Sequence, residues 1–201
     1  MAPDGARSTD HRVAFLQDFL KRPKQVGSVI PSSRFLERRV VRAADLAGAG
    51  TVVELGPGTG GTSRALLSAM RPDARLLVIE INPRFAHLIR RSLRDPRLRV
   101  HCGDARELPQ ILATHHLPAP DAVVSGIPFS TMPRETGLEI LRAVRAALAP
   151  GGRFVAYQMR DRVETLGRAV FGRPRVQVEL LNVPPMRIYR WEKSEGTPSA
   201  R

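Results

Sequence analysis

The sequence predicts an α/β protein with a doubly wound, mostly parallel sheet that ends in an antiparallel hairpin. Short apolar segments alternate with segments of helical spacing from residue 51 to residue 158, which is typical of parallel strands joined by helical crossovers. A glycine-rich segment follows the first of these strands. Residues 182–185 separate the last two strand-like segments, and so short a link predicts a hairpin instead of another crossover.

Each predicted element has its own sequence signature. Parallel strands are predicted at 51–55, 76–81, 98–102, 121–125 and 154–158. The second is a continuous apolar run broken only by Glu80, as expected for a strand buried on both faces. Apolar residues at helical spacing predict helices between them, one beginning at Pro83 and another spanning 133–148. Segments 175–181 and 186–191 alternate in polarity and are predicted to form the hairpin. We therefore expect seven strands.

The segment from Val52 to Thr62 reads Val-Val-Glu-Leu-Gly-Pro-Gly-Thr-Gly-Gly-Thr. Its apolar beginning suits a buried strand, and its glycines remove side chains where a tight turn approaches a nucleotide. Either Thr59 or Thr62 is suited to open the following helix. The predicted turn carries Gly56, Gly58 and Gly60.

Acidic residues stand near the ends of the first three strands. Glu54 precedes the first glycine, Glu80 closes the second strand, and Asp104 follows the third. Glu80 comes about 20 residues after the glycines, the separation at which a carboxylate accepts hydrogen bonds from ribose hydroxyls. Each has a structural alternative: Glu80 caps a helix or pairs with an arginine, Asp104 is a helix N-cap, and Glu54 is paired within the core.

Composition limits the classes of function. A chain of 201 residues with 42% apolar content is long enough for one domain with a core. No run approaches the roughly 18 apolar residues of a membrane span, and the first residues lack an apolar secretion segment, so we expect a cytoplasmic protein. The single cysteine, Cys102, excludes an internal disulfide and is expected to be a small buried hydrophobic residue. We expect no metal.

The formal net charge is +13. An excess of positive charge favours polyanionic partners, either nucleic acid or an anionic membrane surface. Only three of the 32 basic residues are lysines, and a bias of genome composition toward arginine is the alternative explanation.

A doubly wound sheet that ends in an antiparallel hairpin resembles the class I methyltransferase fold and departs from the dinucleotide dehydrogenases. The resemblance implies S-adenosylmethionine as the cofactor. It places Glu80 on the ribose and Asp104 near the adenine. The residues expected to contact the cofactor are Glu54, Gly56, Gly58, Thr59, Gly60, Glu80, Ile81, Asp104, Ala105 and Ser125.

The loop after the fourth strand reads Ser-Gly-Ile-Pro-Phe-Ser at 125–130. Many amino methyltransferases carry Asn-Pro-Pro-Tyr or Asn-Leu-Pro-Tyr there, and the asparagine helps to hold a planar aromatic amine. Pro128 and Phe129 remain in this chain, but Gly126 stands at the asparagine position. This difference favours a flexible aliphatic amine as the methyl acceptor.

Four segments resemble bacterial phospholipid N-methyltransferases: 19–33, 54–60, 125–129 and 182–190. The resemblance covers nearly the whole chain, and its first and last segments are the specific part. That family methylates phosphatidylethanolamine, and relatives act on ornithine lipids. The resemblance implies substrate-covering helices at 1–48, a cofactor-binding core at 49–192 and a tail at 193–201. The residues expected to contact the lipid are Lys24, Ser32, Ile127 and Phe129.

The opening segment carries an apolar stripe with basic residues around it. A segment of this kind can lie in a membrane interface, where each basic residue contributes about 1 kcal/mol against anionic lipid. We therefore expect peripheral association with the inner face of the membrane. An ordinary amphipathic helix packed on its own domain is the alternative. The stripe consists of Val13, Phe15, Leu16, Phe19 and Leu20.

An aliphatic amine with a pKa of about 10 is mostly protonated at pH 7, so the site must accept a proton or desolvate the ammonium. The candidate catalytic groups are Tyr157, Tyr189, Ser125 and Pro128, the last two through the loop carbonyls. There are two competing interpretations. One is an enzyme similar to the ribosomal RNA adenine N6-methyltransferases, and the other is a catalytically silent module that binds cofactor or RNA.

Overall fold

The computed structural model describes residues 33–194 of the chain. This part of the chain contains six α-helices and seven strands. The helices are α1 (Arg34–Ala44), α2 (Gly61–Ala69), α3 (Pro83–Ser92), α4 (Leu108–Thr114), α5 (Arg134–Ala147) and α6 (Arg162–Phe171). The strands are β1 (Thr51–Leu55), β2 (Arg75–Glu80), β3 (Leu98–Cys102), β4 (Ala122–Ser125), β5 (Arg153–Gln158), β6 (Arg175–Glu179) and β7 (Met186–Glu192).

The strands form one sheet in the order β3-β2-β1-β4-β5-β7-β6. The first five of these pair in parallel, and β7 runs antiparallel to both β5 and β6. The predicted fold class is therefore confirmed. Chain order reverses direction between β1 and β4, and a reversal of this kind leaves a crevice beyond the carboxyl ends of the two strands.

Each face of the sheet carries its own hydrophobic core. Alternate strand residues point to opposite faces, so that Val52 packs with α1, α2 and α3, whereas Val53 packs with α4, α5 and α6. Near the hairpin, the ring of Phe154 on β5 stacks on Trp191 of β7 with centroids 5.4 Å apart. Parallel strands buried on both faces explain the continuous apolar runs of the sequence.

Helix α1 closes one face beside the crevice. The Ser33 hydroxyl caps it by accepting a hydrogen bond from the Leu36 backbone at 3.2 Å, and Leu36 and Val40 are buried against the sheet. The Ser33 backbone N–H donates to the Asn182 side chain at 3.0 Å, and Arg39 pairs with Glu179. These two contacts connect the start of α1 to the turn between β6 and β7.

Three local expectations are corrected. Strand β6 ends at Glu179, because Leu180 and Leu181 belong to the following turn. Helix α2 opens at Gly60 and not at a threonine. Cys102 is exposed, because β3 lies at the edge of the sheet and is only partly covered.

Some expectations concern residues outside the described range. The basic opening segment, with Lys24 and Ser32, and the end of the tail beyond residue 194 are among them. Within residues 33–194, no helix has the length and apolar character needed to cross a membrane.

Candidate active site

The crevice lies where the glycine turn after β1 meets the loop after β4. The Gly56 backbone N–H donates to the Ile79 carbonyl at 3.0 Å, and the Gly126 N–H donates to the Leu55 carbonyl at 2.9 Å. Both loops are thus hydrogen-bonded to neighbouring strands. The crevice is consequently bounded by backbone held in place by the sheet.

The glycine turn adopts backbone conformations that side chains disfavour. Gly56, Gly58 and Gly60 have φ values of +63°, +58° and +85°, in the left-handed region that glycine enters without steric cost. A Cβ atom at Gly56 would lie 2.9 Å from Ile127 Cγ1, whereas one at Gly58 would meet nothing within 4 Å. Gly58 therefore presents bare backbone to open space, as a ligand-binding turn requires.

Helix α2 begins directly after this turn without a side-chain cap. Its first backbone N–H groups lack partners within the helix, and a helix N-terminus favours negative charge. Thr59 is exposed in the turn. Thr62 is buried, and its hydroxyl lies 3.1 Å from the Tyr157 hydroxyl.

Glu54 is fully buried on β1, two residues before Gly56, the first glycine of the turn. The Ser63 hydroxyl donates a hydrogen bond to its Oε2, and its Oε1 has no partner among the described residues. The pKa of Glu54 is raised to about 8, mainly by burial; the Ser63 hydrogen bond acts to lower it, and the neighbouring Glu80 and Glu37 carboxylates act to raise it. An unpartnered buried carboxyl oxygen is costly, unless a bound ligand completes it.

Glu80 stands at the last position of β2 and is also buried. Its Oε1 accepts a hydrogen bond from the Asn82 backbone at 2.9 Å, and Ile81 follows it outside the strand. Burial raises the pKa of Glu80, although nearby backbone N–H groups, including that of Gly58, act to lower it. The carboxylate predicted to bind a ribose therefore lies beside the glycine turn.

Glu37 on α1 is a site residue that the sequence reasoning missed. Its Oε1 lies 2.7 Å from the position of a Cβ at Gly61, which places it against the start of α2. Burial raises the pKa of Glu37, and Arg64 opposes that effect. The sequence did contain a signal for Glu37, because it is the single acidic residue of the arginine-rich segment that forms α1.

Glu37, Glu54 and Glu80 form no ion pair with any lysine or arginine of residues 33–194. Three carboxyl groups stand around one turn in a protein with net charge +13, and a cation bound there would favour the ionised form of each, including Glu54.

Asp104 adopts the helix-capping alternative. Its Oδ1 accepts a hydrogen bond from the Arg106 backbone at 2.9 Å, and its Oδ2 binds the Arg106 guanidinium at 2.6 Å. Arg106 also pairs with Glu139 at 3.0 Å. Both carboxylate oxygens of Asp104 are thus engaged, and Ala105 is buried as the first residue of a short 3-10 helix. The contact of Asp104 with an adenine remains a prediction.

The loop carbonyls considered as proton acceptors already accept hydrogen bonds. The Pro128 carbonyl accepts from the Thr131 hydroxyl at 2.8 Å, and the Ile127 carbonyl accepts from Gln158 at 2.7 Å. Ser125 is buried, with its hydroxyl 3.3 Å from the Ile127 backbone nitrogen. The loop is therefore braced internally at the crevice.

Phe129 does not line the crevice. Its side chain is 0% exposed and packs in the core beneath α5 and α6. The expectation that it contacts the lipid is not supported, because the chain turns into a 3-10 helix at Phe129–Thr131 and directs the ring inward. Ile127 remains next to the glycine turn through its contact with Gly56.

The two candidate tyrosines lie on opposite faces of the sheet. The β5–β7 register pairs Ala156 with Tyr189 and Tyr157 with Ile188, so Tyr157 joins the core beneath α1 and Tyr189 the other core. Burial raises the pKa of both phenols. Neutral phenols do not accept a proton at neutral pH, so the expectation that they are proton acceptors is not supported.

Gly126, at the asparagine position of related loops, has no room for a side chain. A Cβ there would lie 2.6 Å from the Tyr157 hydroxyl and 2.7 Å from the Gly56 carbonyl oxygen. The two loops therefore pack too closely at this position for the amide that related loops carry.

A sheet with this strand order, a left-handed glycine turn and an acidic residue at the end of β2 defines a class I methyltransferase. The family described as "Methyltransferase domain" matches residues 52–152. The chain therefore belongs to the S-adenosylmethionine-dependent methyltransferases.

Among curated relatives, the chain is 39% identical over 141 residues to an ornithine lipid N-methyltransferase of Singulisphaera acidiphila, covering 70% of this chain and 73% of that protein. It is 30% identical over 163 residues to a ribosomal RNA small subunit methyltransferase A of Thermobifida fusca. That match covers 67% of this chain and 54% of the relative, so the chain spans about half of its length.

Solved structures agree on the fold. The O-methyltransferase TomG from Streptomyces achromogenes superposes with a TM-score of 0.65 over 90% of each chain, at 16% identity. The N-methyltransferase NodS from Bradyrhizobium japonicum gives a TM-score of 0.64 over 79% of this chain and 94% of that one, also at 16% identity.

The residues of the crevice fit S-adenosylmethionine, which carries a sulfonium and an ammonium. Glu54 has a buried oxygen without a partner, Gly58 presents open backbone, and Glu80 offers a carboxylate for hydroxyl groups. Within residues 33–194, no cluster of His, Cys, Asp or Glu is arranged to hold a metal ion.

The stability of the free protein should depend on the protonation of Glu54. In the folded state Glu54 keeps its proton up to about pH 8, whereas the ordinary pKa of a glutamate side chain is 4.5. Glu54 therefore stabilises the fold below pH 4.5, and this contribution is lost as pH rises to about 8, by up to about 1.4 kcal/mol per pH unit. Urea unfolding of wild type and Glu54→Gln across this range should show a steeper decline for wild type.

The matched control is Glu135→Gln, because Glu135 is exposed and pairs with Arg142 on the surface. Its unfolding free energy should follow the wild-type pH dependence. Parallel curves for wild type and Glu54→Gln would contradict the assignment of a protonated Glu54.

Proposed function

We propose that the protein transfers methyl groups from S-adenosylmethionine to the head-group amine of a membrane lipid, such as phosphatidylethanolamine or an ornithine lipid. The observation that carries the proposal is the 39% identity, over 70% of the chain, to an ornithine lipid N-methyltransferase. The crowding at Gly126 supports it, because the loop has no space there for the amide that a planar aromatic amine needs. We place the enzyme at the cytoplasmic face of the membrane.

When held by Glu54, Gly58 and Glu80, the cofactor would supply a methyl group on a positively charged sulfur; the amine nitrogen would bond to the methyl carbon as the carbon–sulfur bond breaks, and S-adenosylhomocysteine would be the leaving group. The chain contributes alignment of the amine with that methyl group, an effect that can supply about 7–11 kcal/mol. The interlocked Gly56 and Gly126 loops hold the crevice for this purpose.

The head-group amine arrives as an ammonium and must lose a proton. Among the crevice groups, Glu37 is half-buried beside the start of α2 and has a raised pKa. A carboxylate of this kind attracts an ammonium and accepts a proton more readily than an ordinary surface carboxylate. Glu37 is therefore a better proton acceptor than either tyrosine.

Lys24 and Ser32 lie outside the described residues. Their contact with the lipid phosphate remains a prediction.

Methylation of RNA is the second candidate. The 30% identity to a ribosomal RNA small subunit methyltransferase A and the net charge of +13 favour it. The environment of Gly126 opposes it for a planar base amine.

Transfer of a radiolabelled methyl group distinguishes these candidates. The whole protein is incubated with labelled cofactor and with vesicles containing phosphatidylethanolamine or an ornithine lipid, or with small-subunit ribosomal RNA. We expect label in one or both lipids. Vesicles of phosphatidylcholine alone are the control, because that head group is already fully methylated. Label in RNA alone, or in no acceptor, would overturn the lipid assignment.

A further inference from the structure

The turn between β6 and β7 exposes three large apolar side chains within four residues. Leu180, Leu181 and Val183 are 71%, 64% and 80% exposed. Single exposed apolar residues are ordinary on soluble proteins, but contiguous exposed groups mark contact surfaces. This turn therefore requires an explanation that the cofactor site does not supply.

Topology places the turn at the same edge of the sheet as the crevice. Strand β7 is antiparallel to β5 and to β6, so β6 runs in the direction of β5 and its carboxyl end lies at the crevice edge. Two further apolar side chains belong to this edge: Met159, which follows β5 and is 38% exposed, and Phe35 in the first turn of α1, 49% exposed. We name Phe35, Met159, Leu180, Leu181 and Val183 the apolar rim.

Hydrogen bonds and an ion pair hold the turn that carries Leu180, Leu181 and Val183. Asn182 is buried, with its amide nitrogen donating to the Pro184 carbonyl at 2.8 Å and its oxygen accepting from Ser33 at 3.0 Å. The Glu179 carboxylate accepts from the Leu181 backbone at 2.8 Å and pairs with Arg39. Polar side chains point inward to hold the turn, whereas the apolar side chains point to solvent.

Exposed arginines lie close to the rim in sequence: Arg34 precedes Phe35, Arg160 follows Met159, and Arg187 lies four residues after Val183. None of the three forms an ion pair with a carboxylate of residues 33–194. Apolar side chains that project among unpaired basic groups match the interface of an anionic bilayer, where chains enter the acyl boundary and arginines meet phosphates.

We propose that the apolar rim is a membrane-docking surface that inserts Leu180, Leu181 and Val183 into an anionic bilayer. The surface lies at the crevice edge of the sheet, so docking brings lipid head groups toward the glycine turn and Glu37. This inference rests on the proposed function, since it names the surface through which a lipid methyltransferase reaches its substrate.

The test is co-sedimentation of the whole protein with vesicles of phosphatidylethanolamine and phosphatidylglycerol. We expect the triple variant Leu180→Ser, Leu181→Ser, Val183→Ser to bind these vesicles about tenfold more weakly than wild type. The matched control is Leu88→Ser, because Leu88 is 44% exposed on α3 and lies outside the rim. The control should bind as wild type does.

Two further measurements separate docking from folding and from catalysis. Cofactor affinity of the triple variant should equal that of wild type, and methyl transfer to short-chain phosphatidylethanolamine in detergent micelles should be retained within about twofold, because that substrate needs no docking. Loss of both would indicate damaged folding. In that case the milder Leu181→Ser and Val183→Ser single variants are measured, and each should still weaken vesicle binding.

Vesicle binding that is unchanged in these variants overturns the docking surface, even if lipid methylation is found. Weakened binding in the variants supports the surface, even if the wild-type enzyme methylates another acceptor. A dimer in wild type that becomes a monomer in the variant, with vesicle binding intact, assigns the rim to a second copy of the chain and also overturns the proposal.

Discussion

Replacement of Glu80 by glutamine is expected to weaken S-adenosylmethionine binding by about 10- to 100-fold. The Glu80 carboxylate lies buried at the end of β2 next to the glycine turn, and hydrogen bonds to a charged group contribute about 1.5–3 kcal/mol. A neutral amide keeps the shape but offers one acceptor oxygen instead of two. Calorimetric titration of the whole protein with the cofactor measures the change.

The same variant should be at least as stable as wild type when no cofactor is bound. Burial raises the pKa of Glu80, so the ionised group is disfavoured in the fold and its neutral isostere relieves that penalty at neutral pH. Thermal unfolding with and without cofactor separates the two effects. A purely structural capping role for Glu80 predicts an unchanged affinity, and that result would refute the ribose assignment.

Replacement of Gly126 by alanine is expected to lower the rate of methyl transfer by about 100-fold and to destabilise the fold by about 1–3 kcal/mol. The new methyl group would lie 2.6 Å from the Tyr157 hydroxyl and 2.7 Å from the Gly56 carbonyl. Because Gly56 belongs to the cofactor turn, relief of the collision moves the acceptor loop and the cofactor turn apart. Single-turnover methyl transfer and urea unfolding measure the two effects.

Gly48→Ala is the matched control, since a Cβ at Gly48 meets nothing within 4 Å, and it should leave rate and stability nearly unchanged. The double variant Gly126→Ala, Tyr157→Phe removes the collision with the hydroxyl but keeps the one with the Gly56 carbonyl. It should therefore recover part of the lost stability and little of the rate. Full activity in the single variant would disprove the interlocking of the two loops.

The cofactor side of the site was largely predictable because its signals are local. Glycines at 56, 58 and 60 mark the turn of a strand–turn–helix unit that consecutive residues form, and an acidic residue ends the next strand. Asp104 shows the limit, because the Arg106 guanidinium that binds its carboxylate also pairs with Glu139 on α5, a contact with a distant part of the sequence that local patterns do not specify.

The acceptor side was predicted less well because it depends on which side chains share a face. Tyr157 and Tyr189 both lie on strands, as expected, but the antiparallel register of β5 with β7 sends them to opposite faces. A shift of one residue in that register reverses a face, and local sequence does not specify it. Glu37 was missed for the same reason, since only the packing of α1 brings it to the glycine turn.

The sequence by itself determined the fold class, the glycine turn and the carboxylate at the end of β2. Hydrophobic periodicity and the left-handed conformations that glycine permits are both encoded in a few consecutive residues. Tertiary structure decided what surrounds them. It buried Phe129, left no space at Gly126, brought Glu37 to the crevice and set Leu180, Leu181 and Val183 outward at the same edge. These outcomes follow from packing between segments far apart in the chain, where excluded volume and strand register, not local preference, select the neighbours of a side chain.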